Sequence, residues 1–240
     1  MPVFIDRSNV NGADDYKQAP VTHLDLKVTE GTTFVDSTYQ QRRAQGKAAG
    51  AKVGGYHFAG HNDPRAEADF FLSHLGTPGP GDMKPCLDLE SGQSQQWAEQ
   101  FVLRIKDKLG YFPILYGSTS FIQPMRSRSS ILKQCPWWRA EFGPNDGNRH
   151  PLAGGDLGAA AHQYTSVAHV PGISGVTDQS HILDEAALLV KPAKPFRKYG
   201  VYHDGDHVRN FRRYARALAW ATRHRPREGH SIQIRHRKEP

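Results

Sequence analysis

Eight short extended runs, separated by stretches of helical character, constrain this chain more than any other feature. The runs are VFID (3–6), HLDLKVT (23–29), AKVGGYHFA (51–59), KPCLDLE (84–90), FPILYGS (112–118), PWWRAEF (136–142), AAHQYTS (160–166) and GVTDQSH (175–181). Between them, Asp36 precedes one helical stretch, Asp63-Pro64 opens a second with proline at its first turn, and Gly110 closes a third. In that third stretch Trp97, Phe101, Ile105 and Leu109 recur every four residues, the spacing of a buried helical stripe. Strands alternating with helices over some 180 residues predict an α/β fold with parallel strands. The count and length suit a compact, irregular (β/α) TIM-like barrel better than an open sheet. Residues 143–158, rich in glycine and proline, read as a long loop, so the barrel is expected to be incomplete there. No internal repeat is present.

Composition bounds the rest. A chain of 240 residues, 38% of them apolar, fits one large domain or one domain with an appendage. The longest apolar run is five residues (186–190), far short of the roughly 20 that cross a bilayer. The opening MPVFIDRSN has no basic start and no apolar h-region, so no signal peptide is expected. Cys86 and Cys135 are too few for a cysteine-rich scaffold. They leave either one bridge or two buried thiols, and the composition favours the thiols.

Charge divides the chain in two. Residues 191–240 carry 14 Lys and Arg against four acids, a net of +10, while 1–190 carry 17 against 20, a net of −3. A catalytic body over 1–190 is therefore expected, followed over 191–240 by a proline-marked linker (KPAKPF) and a short basic helical C-terminal segment. DHVRNFRRYARALAWATRHR (206–225) reads as that helix. On a helical wheel Arg209, Arg212, Arg213, Arg216 and Arg223 fall within a sector of about 100°, opposite Val208, Phe211, Ala215 and Leu218. Either the apolar stripe docks on the body and the arginines are merely solvated, or the arginines meet an anionic partner.

The acids carry the chemical signal. In CLDLE, Asp88 and Glu90 lie two apart on a predicted strand, so both face one side together with Cys86, while Leu87 and Leu89 face the other. Barrel active sites form at the carboxyl ends of the strands. Crowded carboxylates there raise one pKa and keep a general acid protonated. A barrel would gather Asp6, Glu30 and Asp178 to the same mouth, with Tyr56, Tyr116, Trp138 and Tyr164 at or near strand ends. Acids ringed by aromatic faces suit glycoside hydrolysis, which needs a proton donor, negative charge near an oxocarbenium-like centre and flat platforms for sugar rings.

The ordered set FID, KVTEGTTFVD, AGAKVGGYHFA, CLDLE, PILYGS, WWRAEF, HQYTS and VTD resembles the glycoside hydrolase family 25 lysozymes, many of them phage endolysins. The resemblance spans about residues 3–182. It implies a modified barrel that cleaves the β-1,4 bond after N-acetylmuramic acid in peptidoglycan. On the matching motifs Glu90 would be the general acid, Asp88 its partner, and Asp6 and Asp178 the terminal aspartates of the site. Tyr56, Tyr116, Trp138 and Gln163 would line the glycan groove, with Glu30 and Tyr164 as further binding residues. The family pattern implies net retention through the substrate's own N-acetyl group, with Asp88 orienting or stabilising that amide. Departures are a short segment between Gly12 and Leu24, His162 before Gln163, Phe142 in place of tyrosine, and T-D-Q where D-L-N is usual.

Neither a cofactor nor a metal is expected. His57 and His61 lack the intervening glutamate of H-E-x-x-H, and neither a G-x-S-x-G elbow nor a phosphate-cradling loop is present. Two readings stand: an active muramidase, and a non-catalytic wall-binding module that kept the barrel. The expected partners are bacterial peptidoglycan and, through the basic tail, anionic cell-envelope polymers. No nucleic acid is expected, and the protein should act as a monomer. The endolysin resemblance implies synthesis in a host cytoplasm and release to the wall by a separate lysis factor.

Overall fold

The computed structural model describes residues 2–90, 92–152 and 154–192, and towards the C-terminus 199–203, 206–211, 214–224 and 232–236. The chain divides into two compact units, Met1–Pro192 and Ala193–Pro240.

The first unit begins with β1 (Val3–Arg7), β2 (Val21–Glu30), the short β3 (Phe34–Val35), α1 (Tyr39–Ala48), β4 (Lys52–Val53) and β5 (Tyr56–Phe58). It continues through α2 (Pro64–Leu75), β6 (Cys86–Asp88), α3 (Gln95–Leu109), β7 (Ile114–Ser118) and α4 (Thr119–Arg128). β8 (Trp137–Ala140), β9 (Ala159–Ala168), β10 (Thr177–Ile182) and α5 (Glu185–Leu188) complete it. Strands β1, β2, β5, β6, β7, β8 and β9 pair side by side in parallel. β10 pairs with β9 and with β1, closing an eight-stranded barrel.

The barrel is not wholly parallel, because β10 runs antiparallel to both neighbours. Only residues 169–176 join β9 to β10, and a parallel crossover needs a dozen residues or more. The stretch 143–158 does lack helix and strand among its described residues. The barrel is nonetheless complete there, since β8 pairs directly with β9. Between β1 and β2 the short connection forms only turns.

Two apolar clusters stabilise this unit. Phe4, Met83, Cys86, Ile114, Trp138, Ala160, Ala161 and Leu188 form one. The larger one joins outward strand residues such as Leu24, Leu26, Leu87 and Leu115 to helix residues such as Phe71, Phe101 and Ile105. Trp97 and Leu109, the ends of the expected α3 stripe, are partly buried against it. Asp63 Oδ1 accepts from the backbone N–H groups of Arg65 and Ala66 at 3.0 and 2.9 Å, a cap that contributes about 1 kcal/mol. Gly110 ends α3 at a left-handed φ of 81°, the conformation glycine adopts without penalty. The run 51–59 breaks at Gly54, where a Cβ would lie 2.6 Å from Asp25 Oδ1 and 2.9 Å from Met83 Cβ. Both cysteines are buried free thiols.

Among its described residues the second unit is a three-stranded antiparallel sheet, order β12-β11-β13, with one helix. It comprises β11 (Tyr199–His203), β12 (Asp206–Phe211), α6 (Tyr214–Arg223) and β13 (Ile232–His236). The single helix expected over 206–225 is therefore corrected. Its first part is a strand, with Val201 opposite Arg209 and Tyr199 opposite Phe211. Pairing with β11 supplies a ladder that the local helical periodicity does not reveal. The expected apolar stripe does not form, since Val208 and Phe211 lie on β12 and Leu218 on α6; Val208 and Leu218 are exposed. Val201 and Ala217 are buried instead, and Phe211 meets Trp220 at 6.3 Å between ring centres. Arg209, Arg216 and Arg223 are exposed. Arg212, Arg213 and most of the proline-marked linker lie outside the described residues.

Candidate active site

Side chains that alternate along strands point into the barrel at every second position, and those nearest the carboxyl ends meet at its mouth. Asp6 from β1, Lys27 from β2, Tyr56 and Phe58 from β5, and Cys86 and Asp88 from β6 line one cavity of about 220 Å³. Glu90, just past β6, joins them with Tyr116 from β7, Trp138 from β8, Gln163 from β9 and Asp178 from β10. Because β10 is antiparallel, its beginning, not its end, reaches this mouth, and that is where Asp178 sits.

Burial separates the four acids. Glu90 is exposed, whereas Asp88 is buried and its Oδ1 has no hydrogen-bond partner among the described residues. Burial pushes the Asp88 carboxyl well above the usual range, and the charges of Glu90 and Asp6 push it further. Burial likewise raises Asp6, followed by the charge of Asp178, while the bond from Gln163 pulls it back. Asp178 is raised too, chiefly by burial. In each of the three the charged form loses hydration that the neutral form needs less.

The polar neighbours form a short chain. The Tyr116 hydroxyl donates to Gln163 Oε1 at 2.6 Å, and Gln163 Nε2 donates to Asp6 Oδ2 at 2.8 Å. Trp138 Nε1 donates to Ser180 Oγ at 2.9 Å, which fixes the indole against Tyr116, 4.9 Å away and edge-on. Lys27 pairs with Glu30 at 2.5 Å and lies over the rings of Phe34 and Phe58.

Eight of the ten site residues expected from the sequence thus line one cavity. Glu30 and Tyr164 do not. Glu30 reaches the site only through Lys27, and Tyr164 follows Gln163 on β9 and packs edge-on against His162. Lys27, Phe58 and Cys86 are the additions. All three lie within quoted motifs, two positions from Asp25, Tyr56 and Asp88 respectively, so strand alternation signalled them.

His57 turns away from the cavity. Its Nδ1 meets Thr29 Oγ1 and its Nε2 meets Glu67 Oε2, both at 2.8 Å. Glu67 also accepts from the backbone N–H groups of Gly60 and Asn62. Both ring nitrogens are therefore engaged in holding the loop after β5.

A second cavity, of about 390 Å³, shares Glu90 and Tyr116 with the first and is also lined by Ser118, Ala140, Glu141 and Phe142. Glu141 is held by the buried guanidinium of Arg139 and by the Thr119 hydroxyl.

The family model for glycosyl hydrolases family 25 matches residues 5–173, and the chain belongs to that family. It is 32% identical over 182 residues to an autolytic lysozyme of Clostridium acetobutylicum, covering 72% of this chain and 53% of that protein. It is 30% identical over 160 residues to a lysozyme of Streptococcus phage Cp-7, covering 60% of this chain and 44% of that one. The chain thus spans about half the length of these curated relatives. Its fold is like that of a bacterial lysozyme from Streptomyces coelicolor, with a TM-score of 0.67 at 24% identity, covering 78% of this chain and 94% of that one.

Proposed function

We propose that this chain is a muramidase that hydrolyses the β-1,4 bond between N-acetylmuramic acid and N-acetylglucosamine. One observation carries the reading. An exposed carboxyl, Glu90, stands at a mouth whose wall holds three further carboxyls with raised affinity for protons and four aromatic rings. Glu90 gives its proton to the glycosidic oxygen as the bond to C1 breaks, and the leaving sugar departs with a hydroxyl. The carbonyl oxygen of the substrate's N-acetyl group closes on C1, with Asp88 orienting that amide. Water then attacks C1 from the vacated side, gives its proton to Glu90 and reopens the ring, with net retention. Asp6 and Asp178 support the charge that develops.

Release of new reducing ends from purified peptidoglycan, identified by mass spectrometry as muramic acid, tests the bond. Loss of that release in Glu90→Gln tests the acid. Wild type that binds walls without releasing reducing ends would make the chain a binding module instead.

The lysozyme of a phage among its relatives supports a role in phage lysis. On that reading the protein acts as a monomer, is made in the host cytoplasm and is released to the wall by a separate lysis factor. The second unit holds it near anionic envelope polymers through Arg209, Arg216 and Arg223, which are exposed. Replacing these three by alanine should weaken wall binding most at low salt, because the Debye length is about 10 Å at 0.1 M and grows on dilution. Binding that is equal to wild type at every salt concentration would refute this.

A further inference from the structure

Glu90 lies on the connection from β6 to α3, and both ends of the stretch that carries it are tied to one residue of the neighbouring loop. Ala59, which follows β5, donates its N–H to Asp88 O at 3.0 Å. The Ala59 carbonyl accepts from Gln93 Nε2 at 3.1 Å, and the same amide nitrogen donates to Gly60 O at 3.0 Å. That loop is itself anchored. Glu67 holds the N–H groups of Gly60 and Asn62, His57 bonds Glu67, and Trp97 Nε1 on α3 donates to Asn62 O at 2.8 Å. Gln93 is buried, yet its Oε1 has no partner among the described residues. An apolar side chain of that size would fill the space without the cost of an unpaired acceptor. What the amide adds is its two bonds to the loop.

We propose that Gln93 is a positioning residue for the general acid, fixing the stretch between Asp88 and Gln93 so that the Glu90 carboxyl keeps its place over the glycosidic oxygen. This assignment rests on the muramidase reading above. Glu90 is exposed, so the packing that encloses Asp88 does not hold it, and its place follows from the backbone. On the near side that backbone is fixed just past β6, where the Leu89 N–H donates to Tyr116 O at 3.0 Å. On the far side, before α3 begins at Gln95, Gln93 supplies the tie to the loop after β5. A displacement of about 1 Å is worth about 10² in rate, so the loss of both bonds is felt in proton transfer.

The test compares Gln93→Met with wild type on two substrates that differ in their need for an acid. One is peptide-free glycan, whose leaving sugar must be protonated. The other is the dinitrophenyl β-glycoside of the N-acetylglucosaminyl-N-acetylmuramic acid disaccharide, whose phenolate leaves without a proton. The loss in kcat/KM, which reads the bond-breaking step, should be greater on glycan than on the dinitrophenyl glycoside by about tenfold or more. Gln93→Asn, whose amide is one methylene too short for both carbonyls, should give the same split and serves where Gln93→Met fails to fold. A residue that only stabilises the fold would lower both rates alike. Equal losses on the two substrates in a folded variant, or no loss, therefore overturn the assignment. Glu90→Gln should show the largest split. Wild type that cuts neither substrate, or Glu90→Gln with no split, sinks the muramidase reading itself. A split in Glu90→Gln without one in the Gln93 variants sinks only the role of Gln93.

Discussion

Gln163 donates to Asp6 at 2.8 Å, joining β9 to β1 across 157 positions of sequence. Tyr116 fixes the amide from its other side, so Gln163 presents its N–H to the carboxylate and not its carbonyl. That bond lowers the pKa of Asp6 against burial and against the charge of Asp178.

Gln163→Leu should therefore raise the pKa of Asp6 further. If the reaction needs Asp6 ionised, the acid limb of the pH–rate profile moves to higher pH. Activity at lower pH falls about tenfold, the worth of a hydrogen bond to a charged group. A profile that drops in height without moving would show that Gln163 contacts substrate and does not tune Asp6.

Glu90→Gln should reduce turnover by about 10²–10⁴ while leaving the melting temperature near that of wild type, because Glu90 is exposed. Asp88→Asn and Asp6→Asn should also be severe, and Asp178→Asn milder. Reducing-end assays beside thermal unfolding measure this, and more than about a tenth of wild-type activity in Glu90→Gln would sink its role.

Asp25 is buried beside Asp6 in the β1–β2 register, and its Oδ2 has no partner among the described residues. Burial pushes its pKa from 3.8 up to about 8. Between those values the folded state holds a proton that the unfolded state has released, so raising the pH costs stability over that range. Asp25→Asn stays neutral throughout. Its melting temperature relative to wild type should climb from pH 4 towards about pH 8 and level off above. A difference that does not vary with pH would show that Asp25 ionises normally in the fold.

Glu67 is buried, which raises its pKa, yet the bonds from His57, Gly60 and Asn62 outweigh burial and hold it below the usual range. Glu67→Ala orphans all three donors and should cost about 3 kcal/mol or more in denaturant unfolding. A loss under about 1 kcal/mol would mean that water replaces the carboxylate freely.

Much of the barrel was legible because its signals are local. Asp63-Pro64 and Gly110 mark helix ends through bonds and dihedrals within a few residues. Alternation at period two sets Asp88 and Glu90 on one face and Leu87 and Leu89 on the other. The same logic failed for DHVRNF, whose helical wheel is sound in isolation but whose strand partner, β11, is supplied by the second unit's own hairpin. It also missed the direction of β10, which the length of its connection decides and no residue pattern announces.

The sequence by itself determined which side chains share a face: the D-x-E acids, Tyr56 with Phe58, and Cys86 beneath Asp88. Those relations depend only on backbone geometry over two to four residues. Only the tertiary structure decided that Asp178 meets Asp6, that Gln163 bridges to it while Tyr164 does not, and that Asp88 is buried where Glu90 is exposed. Barrel closure brings distant positions into contact. The proton affinity of a carboxyl depends on the water and charge excluded or admitted around it, which is a property of the whole enclosure and of no single segment.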